Sequence, residues 1–271
     1  MKVFRQKNIF YIISLLLLLL LLAPKVQASS WDKDKSIQAI KKSGHLKVGV
    51  KQDVPNFGYY SPESGRYEGM EIDLAKKIAK SLDVKVDFVP VTAQTREALL
   101  DNGQIDIIIA TYTITPERQK NYSFSKPYYQ DEVGFLINRS SGIKKLKNLN
   151  KKRIGVAQGS TTKAAIEEYG KAHKLQFDFV QLGSYPELAI SLYAKRIDAF
   201  SVDKSILSGY QSKQSKILSG GFNQQSYGVA TTKANHKLTD YINQLISKWS
   251  TDQSLEKIYQ KYNLKPAKTR N

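Results

Sequence analysis

Apolar positions recur along this chain with two different periods, and the order of those periods predicts its architecture. Leu46-Lys47-Val48-Gly49-Val50 reads as a strand, and the Gly-, Pro-, Ser- and aromatic-rich stretch from Asn56 to Gly69 as a long surface loop. Between Met70 and Leu82 the apolar residues Met70, Leu74, Ala75, Ile78, Ala79 and Leu82 keep helical spacing, with lysines on the opposite face. Val84, Val86 and Phe88 then alternate with charged residues as a half-buried strand does, and a helix is predicted over Arg96 to Asn102. Ile105 to Ala110 is almost continuous in β-branched apolar residues, the pattern of a strand buried in a parallel sheet.

The same order then repeats. Lys152-Arg153-Ile154-Gly155-Val156-Ala157 echoes the first strand, and a helix is predicted from near Thr161. Phe177 to Val180 is a strand, Tyr185 to Ala194 a helix, and Ile197-Asp198-Ala199-Phe200 echoes Ile105-Asp106-Ile107-Ile108. Strand, helix, strand, helix, strand, met twice, predicts two α/β lobes with parallel sheets and right-handed crossovers. Apolar runs at Val133 to Ile137 and Tyr227 to Thr231 are too short for helices and stand where the chain would cross between lobes. The expected division is residues 29–130 plus 229–271 for the first lobe and 131–228 for the second, with hinge motion about the cleft between them. The C-terminal segment is helical through Leu238, Ile242, Leu245, Ile246 and Trp249, then through Leu255, Ile258, Tyr259 and Tyr262.

Ahead of these lobes, Lys2, Arg5 and Lys7 precede an apolar run from Ile9 through Ala23, followed by Val26-Gln27-Ala28. That is the pattern of a secretory signal peptide cleaved after about Ala28. The chain has no cysteine, which excludes disulfides, thiol catalysis, thiolate metal sites and the cysteine on which a bacterial lipid anchor is built. Setting aside Lys2, Arg5, Lys7 and Lys25 leaves 38 basic residues against 24 acidic ones, a formal +14. Such a balance attracts polyanions, anionic wall polymers among them. Nucleic acid is not expected, because an export signal is present and no aromatic-rich basic motif or recognition helix is. The longest one-signed stretch, Arg139 to Arg153, holds seven basic residues and no acid, as a solvated loop would.

Three histidines, His45, His173 and His236, lie far apart without metal-site spacing and read as surface residues. No nucleophile elbow, phosphate-binding glycine loop or zincin helix occurs, so no catalytic residue, metal or cofactor is predicted. The segment Ala110-Thr111-Tyr112-Thr113-Ile114-Thr115-Pro116-Glu117-Arg118 stands out. Thr115 and Pro116 are a well-formed helix start. Arg118 and the two hydroxyls before the cap lie at the end of a buried strand, where α/β sheets bind small ligands. A guanidinium there offers a carboxylate a planar, bidentate partner. Asp203, after Phe200-Ser201-Val202 at the equivalent point of the second lobe, supplies an anion for an ammonium group.

Several separated motifs, in order, resemble the polar amino-acid substrate-binding proteins of ABC importers. They are Gly49 to Asp53, Gly69 to Ala75, Ala110 to Arg118, Phe124 to Tyr128, Gly155 to Thr162 and Asp198 to Leu207, within about residues 44–264. Gln225-Ser226-Tyr227-Gly228 with Phe200 to Ser205 is most similar to the aspartate/glutamate/glutamine-binding branch, one member of which is also described as a cell-adherence protein. The resemblance implies a two-lobed periplasmic-binding-protein-like fold (type II), a monomer with a membrane permease as partner, and no catalysis. It implies that Arg118 binds the ligand α-carboxylate with Thr113 and the backbone near Thr111, and that Thr161 adds a donor from the other lobe. Asp203 would take the ammonium, Tyr185 and Tyr227 would line the pocket, and Arg96 would reach the ligand side chain, its positive field reinforced by Lys51. Relatives place an aromatic ring on the first-lobe loop where this chain has Val54, so Phe57 or Tyr59 is expected to complete the pocket. Two other readings stand beside this one: a basic surface adhesin, and an enzyme on the same fold, such as a dehydratase.

Overall fold

The computed structural model describes residues 30–267; the predicted signal segment and the polar end at residues 268–271 lie outside them. One 3₁₀ turn spans Ser30–Lys33. The polar leader that follows is helical: in α1 (Lys35–Ser43) Asp34 accepts from the Ser36 and Ile37 N–H groups, and Ile37 and Ile40 are buried. Nine residues with two apolar anchors carry too weak a period to be read from sequence.

The first lobe runs through β1 (His45–Val50), β2 (Asp53–Val54), β3 (Gly58–Ser61), β4 (Arg66–Glu68), α2 (Met70–Ser81), β5 (Lys85–Pro90), α3 (Arg96–Asp101), β6 (Ile107–Ile109), α4 (Pro116–Asn121) and β7 (Tyr122–Phe124). The surface loop expected over Asn56 to Gly69 instead carries β3 and β4, which join β2 in a three-stranded antiparallel sheet, with Val54 and Phe57 fully buried. The second lobe follows with β8 (Tyr129–Asn138), β9 (Lys152–Ala157), α5 (Thr162–His173), β10 (Phe177–Leu182), α6 (Tyr185–Tyr193), β11 (Ala199–Asp203), α7 (Lys204–Ser208), β12 (Ser215–Ile217) and β13 (Phe222–Tyr227). The chain then returns with β14 (Ala230–Thr232), α8 (His236–Thr251) and α9 (Ser254–Lys261).

Besides the small β2-β3-β4 sheet, each lobe has one larger sheet. The first has strand order β5-β1-β6-β14-β7, with β1 parallel to both β5 and β6 and β14 antiparallel to β6 and β7. The second has order β10-β9-β11-β8-β12, with β13 also paired to β8. Here β9 is parallel to β10 and β11, and β8 is antiparallel to β11. The return crossing was expected as one strand over Tyr227 to Thr231; it is split, because Gly228 donates to the Tyr112 carbonyl at 3.1 Å while the chain leaves one sheet for the other.

The repeated plan is physical and not only a pattern of letters. In the first lobe the Asp106 carboxylate accepts from the Lys47 N–H at 2.8 Å while the Asp106 N–H donates to the Lys47 carbonyl at 2.8 Å. In the second, Asp198 makes the same pair with Arg153, both at 2.9 Å. Gly49 and Gly155 each lack the Cβ that would overlap the isoleucine before the third strand, Ile105 and Ile197 respectively. Each lobe has its own core: Leu100, Ile105, Ile108 and Ala110 with Tyr112 in the first, Phe135, Ile154, Val156 and Ile166 with Leu218 in the second. Each aliphatic side chain buried there contributes about 1.5–3 kcal/mol before entropy is set against it. Each lobe is therefore packed around a core of its own.

Candidate functional site

The segment that leaves β6 turns sharply. Thr111 has φ +45°, a backbone region unfavourable for a β-branched residue, and its N–H donates to Glu71 Oε1 at 2.6 Å. Thr113 forms an isolated antiparallel bridge with Tyr227. Thr115 then caps α4 by accepting from the Arg118 N–H at 3.2 Å, with Pro116 in the first turn, so the predicted helix start is the observed one. This short helix aims Arg118 back at the strand end.

Arg118 is held on every side. Its Nη1 donates to the Thr113 carbonyl at 2.9 Å, its Nε lies 3.3 Å from Glu97, and its guanidinium sits over the Tyr112 ring at 4.3 Å. Nη2 reaches across the cleft to the Gly159 carbonyl at 3.2 Å. Burial, and then the neighbouring Arg96 cation, push its pKa down to about 10, which leaves it charged at neutral pH. Arg96 is only 3% exposed. Its Nη1 donates to the Ala110 carbonyl at 2.7 Å, and it lies over the same Tyr112 ring at 4.4 Å. The neighbouring acids of its own helix have other partners: Glu97 is taken by Arg118 and the Tyr112 hydroxyl, and Asp101 accepts from the Tyr122 hydroxyl.

Lys51, buried like Arg96, adds a third cation beside the partly buried Arg118. It is 2% exposed, lies 3.0 Å from Asp53, and crosses the cleft to sit over the Tyr185 ring at 4.7 Å. Burial pushes its pKa down, against the pull of Asp53. Facing these cations from the second lobe is Asp203, at the end of β11 and 5% exposed, which accepts from the Tyr227 hydroxyl. Burial first, and then the Asp131 charge, raise its carboxyl to about 7, against the Tyr227 hydrogen bond and the Arg96 and Arg118 charges. Tyr185 and Tyr227 are both buried; Tyr185 packs on Phe200 and Tyr210, and Tyr227 stacks on Tyr129.

Arg96, Arg118, Lys51, Asp203, Tyr185 and Tyr227 are thus brought together with Thr111 and Thr113, both also buried. Thr161 differs: it stands at the start of α5, but its hydroxyl donates to Gln225 Oε1 at 2.9 Å. Phe57 lies edge-on to Tyr129 and Tyr227, whereas Tyr59 is 36% exposed on β3. Sequence reasoning overlooked Glu71, buried completely in the first turn of α2, where an acid reads as ordinary helix-dipole compensation. It also overlooked Tyr210, whose hydroxyl donates across the cleft to the Asp53 carbonyl. Nothing in the local pattern marks either. Among the described residues no group of three or more His, Asp or Glu side chains is placed to hold a metal ion. The arrangement is a strongly polar cluster at the contact between the lobes, with cations on the first-lobe side and a carboxylate on the other.

Comparison with known proteins agrees with this geometry. The family model for bacterial extracellular solute-binding proteins, family 3, matches residues 46–265. The ABC transporter glutamine-binding protein GlnH of Bacillus subtilis is 35% identical over 243 residues, covering 87% of each chain. The glutamate/aspartate import solute-binding protein of Escherichia coli is 25% identical over 247 residues, covering 87% of this chain and 82% of that one. Among solved structures, a mutant of the arginine-binding protein ArgBP from T. maritima superposes with a TM-score of 0.77 at 27% identity, covering 84% of this chain and 98% of that one.

Proposed function

From the chain's place among the bacterial extracellular solute-binding proteins of family 3, to which it belongs, we propose that its ligand is aspartate or glutamate, with glutamine the alternative. The protein captures a polar or charged amino acid outside the cell and delivers it to the permease of an ABC importer, without performing chemistry on it.

In the proposed mode the ligand bridges the lobes. Arg118 offers its remaining N–H donors to the α-carboxylate, beside Thr113 and the Thr111 backbone, while Asp203 takes the ammonium. Tyr185 and Tyr227 enclose the ligand, and Thr161 contributes from the second lobe once its hydroxyl leaves Gln225. Hinge closure then buries the charges, strengthening each electrostatic contact. Residues 29–130 plus 229–271 would move against 131–228, and residues 1–28 would be removed on export.

The observation that supports an acidic side chain is Arg96. It is 3% exposed, its Nε has no hydrogen-bond partner, and it shares its enclosure with Lys51. A buried guanidinium with a free donor favours a carboxylate over a neutral amide. A thermal-shift panel of the twenty amino acids plus cystine, followed by calorimetry on the hits, tests this. Aspartate or glutamate should bind most tightly, and Arg96→Ala should weaken them more than glutamine. Tight cystine or glutamine binding with no response to aspartate or glutamate would overturn the assignment.

A separate observation supports retention on anionic wall polymers. Arg139, Lys144, Lys145, Lys147, Lys151, Lys152 and Arg153 are all exposed, on the connection from β8 to β9 and the first two residues of β9. If charge holds the protein to the wall, washing cells with about 1 M salt should release it, because the Debye length contracts to about 3 Å. Protein that stays bound through such a wash would exclude this mode and, with it, an adhesive role based on charge.

A further inference from the structure

The binding mode above makes no use of Glu71, the one acid that lies fully buried beside the proposed side-chain subsite. Its Oε1 accepts from the Thr111 N–H and from the Tyr128 hydroxyl, both at 2.6 Å. Its Oε2 has no hydrogen-bond partner, and neither do Arg96 Nε and Thr111 Oγ1. Thr111, whose backbone Glu71 fixes, also lends its carbonyl to Arg96 Nη1 at 3.4 Å. Three unpartnered buried polar atoms are therefore linked through one strained residue. Such atoms cost free energy in the folded protein and persist where function uses them.

We propose that Glu71 is a specificity-determining residue of the side-chain subsite, favouring a carboxylate ligand when it carries its proton and a carboxamide ligand when it does not. The proposal rests on an acidic or amide amino acid being the ligand. Its charge logic is short. Arg96 and Lys51 face Glu71 from α3 and from the residue after β1, Tyr128 faces it from the residue before β8, and Tyr185 from α6. Asp53, the remaining charge nearby, is 3.0 Å from Lys51. An ionised Glu71 offsets the field of the two cations and repels a second carboxylate, while its free Oε2 accepts from an amide NH₂. A protonated Glu71 leaves the cations unopposed and can itself donate. Burial raises its carboxyl to about 7, against the two hydrogen bonds and both cations, so the exchange falls in the neutral range.

The quantity to measure is the ratio of the dissociation constants of glutamine and glutamate, obtained by calorimetry on the whole mature protein from about pH 6 to about pH 8. Asp203 faces the ammonium that both ligands carry, so its titration cancels in the ratio. In the parent protein the preference for glutamate should fall by about tenfold across that range, the change that one pKa unit of interaction produces. Glu71→Gln keeps the oxygen that accepts from Thr111 and Tyr128, and it should show a ratio that no longer depends on pH and favours glutamate at the alkaline end. A purely structural Glu71 would alter both affinities together and leave the pH profile of the ratio in place; that result overturns the proposal. Should Glu71→Gln not fold, the parent profile decides alone, and a flat ratio overturns it. Failure of the underlying reading looks different: neither glutamate nor glutamine shifts the melting temperature of the parent protein, and both proposals fall.

Discussion

The Tyr227 hydroxyl donates a hydrogen bond to the Asp203 carboxylate, joining the start of the return crossing to the end of the second lobe's central strand. Both groups are buried, and Asp131 lies diagonally across the ladder, since Asp203 pairs with Val133 two residues further along β8. The consequence is a carboxyl held at about 7 by burial and by the Asp131 charge, with Tyr227 opposing the rise. In the unliganded protein such a group contributes stability that is full below its ordinary value of 3.8 and is lost as pH rises through about 7.

Ligand binding should carry the opposite sign. An ammonium group favours the ionised form of Asp203, so in the proposed mode affinity rises with pH through about 7 and binding releases a proton. Tyr227→Phe removes the bond that lowers the carboxyl and should move the rise to higher pH. Calorimetry on Glu71→Gln in two buffers of different ionisation enthalpy reads the proton released by Asp203 with no contribution from Glu71. A binding enthalpy independent of buffer at neutral pH would remove Asp203 as the ammonium partner.

Much of this was legible in the sequence, and the reasons are local. The capped turn at Thr115 and Pro116 fixed the direction of Arg118, and the echo of Ile105-Asp106 in Ile197-Asp198 reported a real pair of backbone clasps. Patterning also located both central strands, though β11 begins at Ala199, after Asp198, which forms the clasp. The small β2-β3-β4 sheet was hidden because its strands span two, four and three residues, shorter than an alternation needs to declare itself. Glu71 and Tyr210 were hidden for another reason. Their partners, Thr111 and Asp53, are remote along the chain, and only tertiary packing shows that an acid in a first helical turn is buried.

Arg118 should be the most costly of the lobe 1 residues to truncate. It ties Thr113, Glu97 and, across the cleft, Gly159, so Arg118→Ala removes the proposed carboxylate partner and a closure contact together. The change should weaken ligand binding by about 2 to 5 kcal/mol, the range for truncating one partner of a buried charge pair. Arg118→Lys should recover only part of this, because a point charge cannot serve two oxygens in one plane. Calorimetry finding Arg118→Ala within threefold of the parent would exclude it from the site.

Closure itself is testable at Gly159, on the second lobe's edge of the cleft. Its carbonyl accepts from Arg118, its φ is +72°, and an added Cβ would lie 2.7 Å from both the Ala93 carbonyl oxygen and the Gln94 Cα of the first lobe. Those are backbone atoms and cannot swing aside. The overlap exists only while the lobes are together, whereas the left-handed backbone costs about 1 kcal/mol in either state. Gly159→Ala should therefore lower the melting temperature modestly, leave both lobes folded, and hold them apart. X-ray scattering of the parent should show compaction when ligand is added, while Gly159→Ala at the same ligand concentration keeps its larger radius of gyration and binds at least tenfold more weakly, an effect of about 1.4 kcal/mol or more. Compaction and affinity equal to the parent would mean that ligand capture does not require the lobes to meet at this edge, and the hinge mechanism would fail with it.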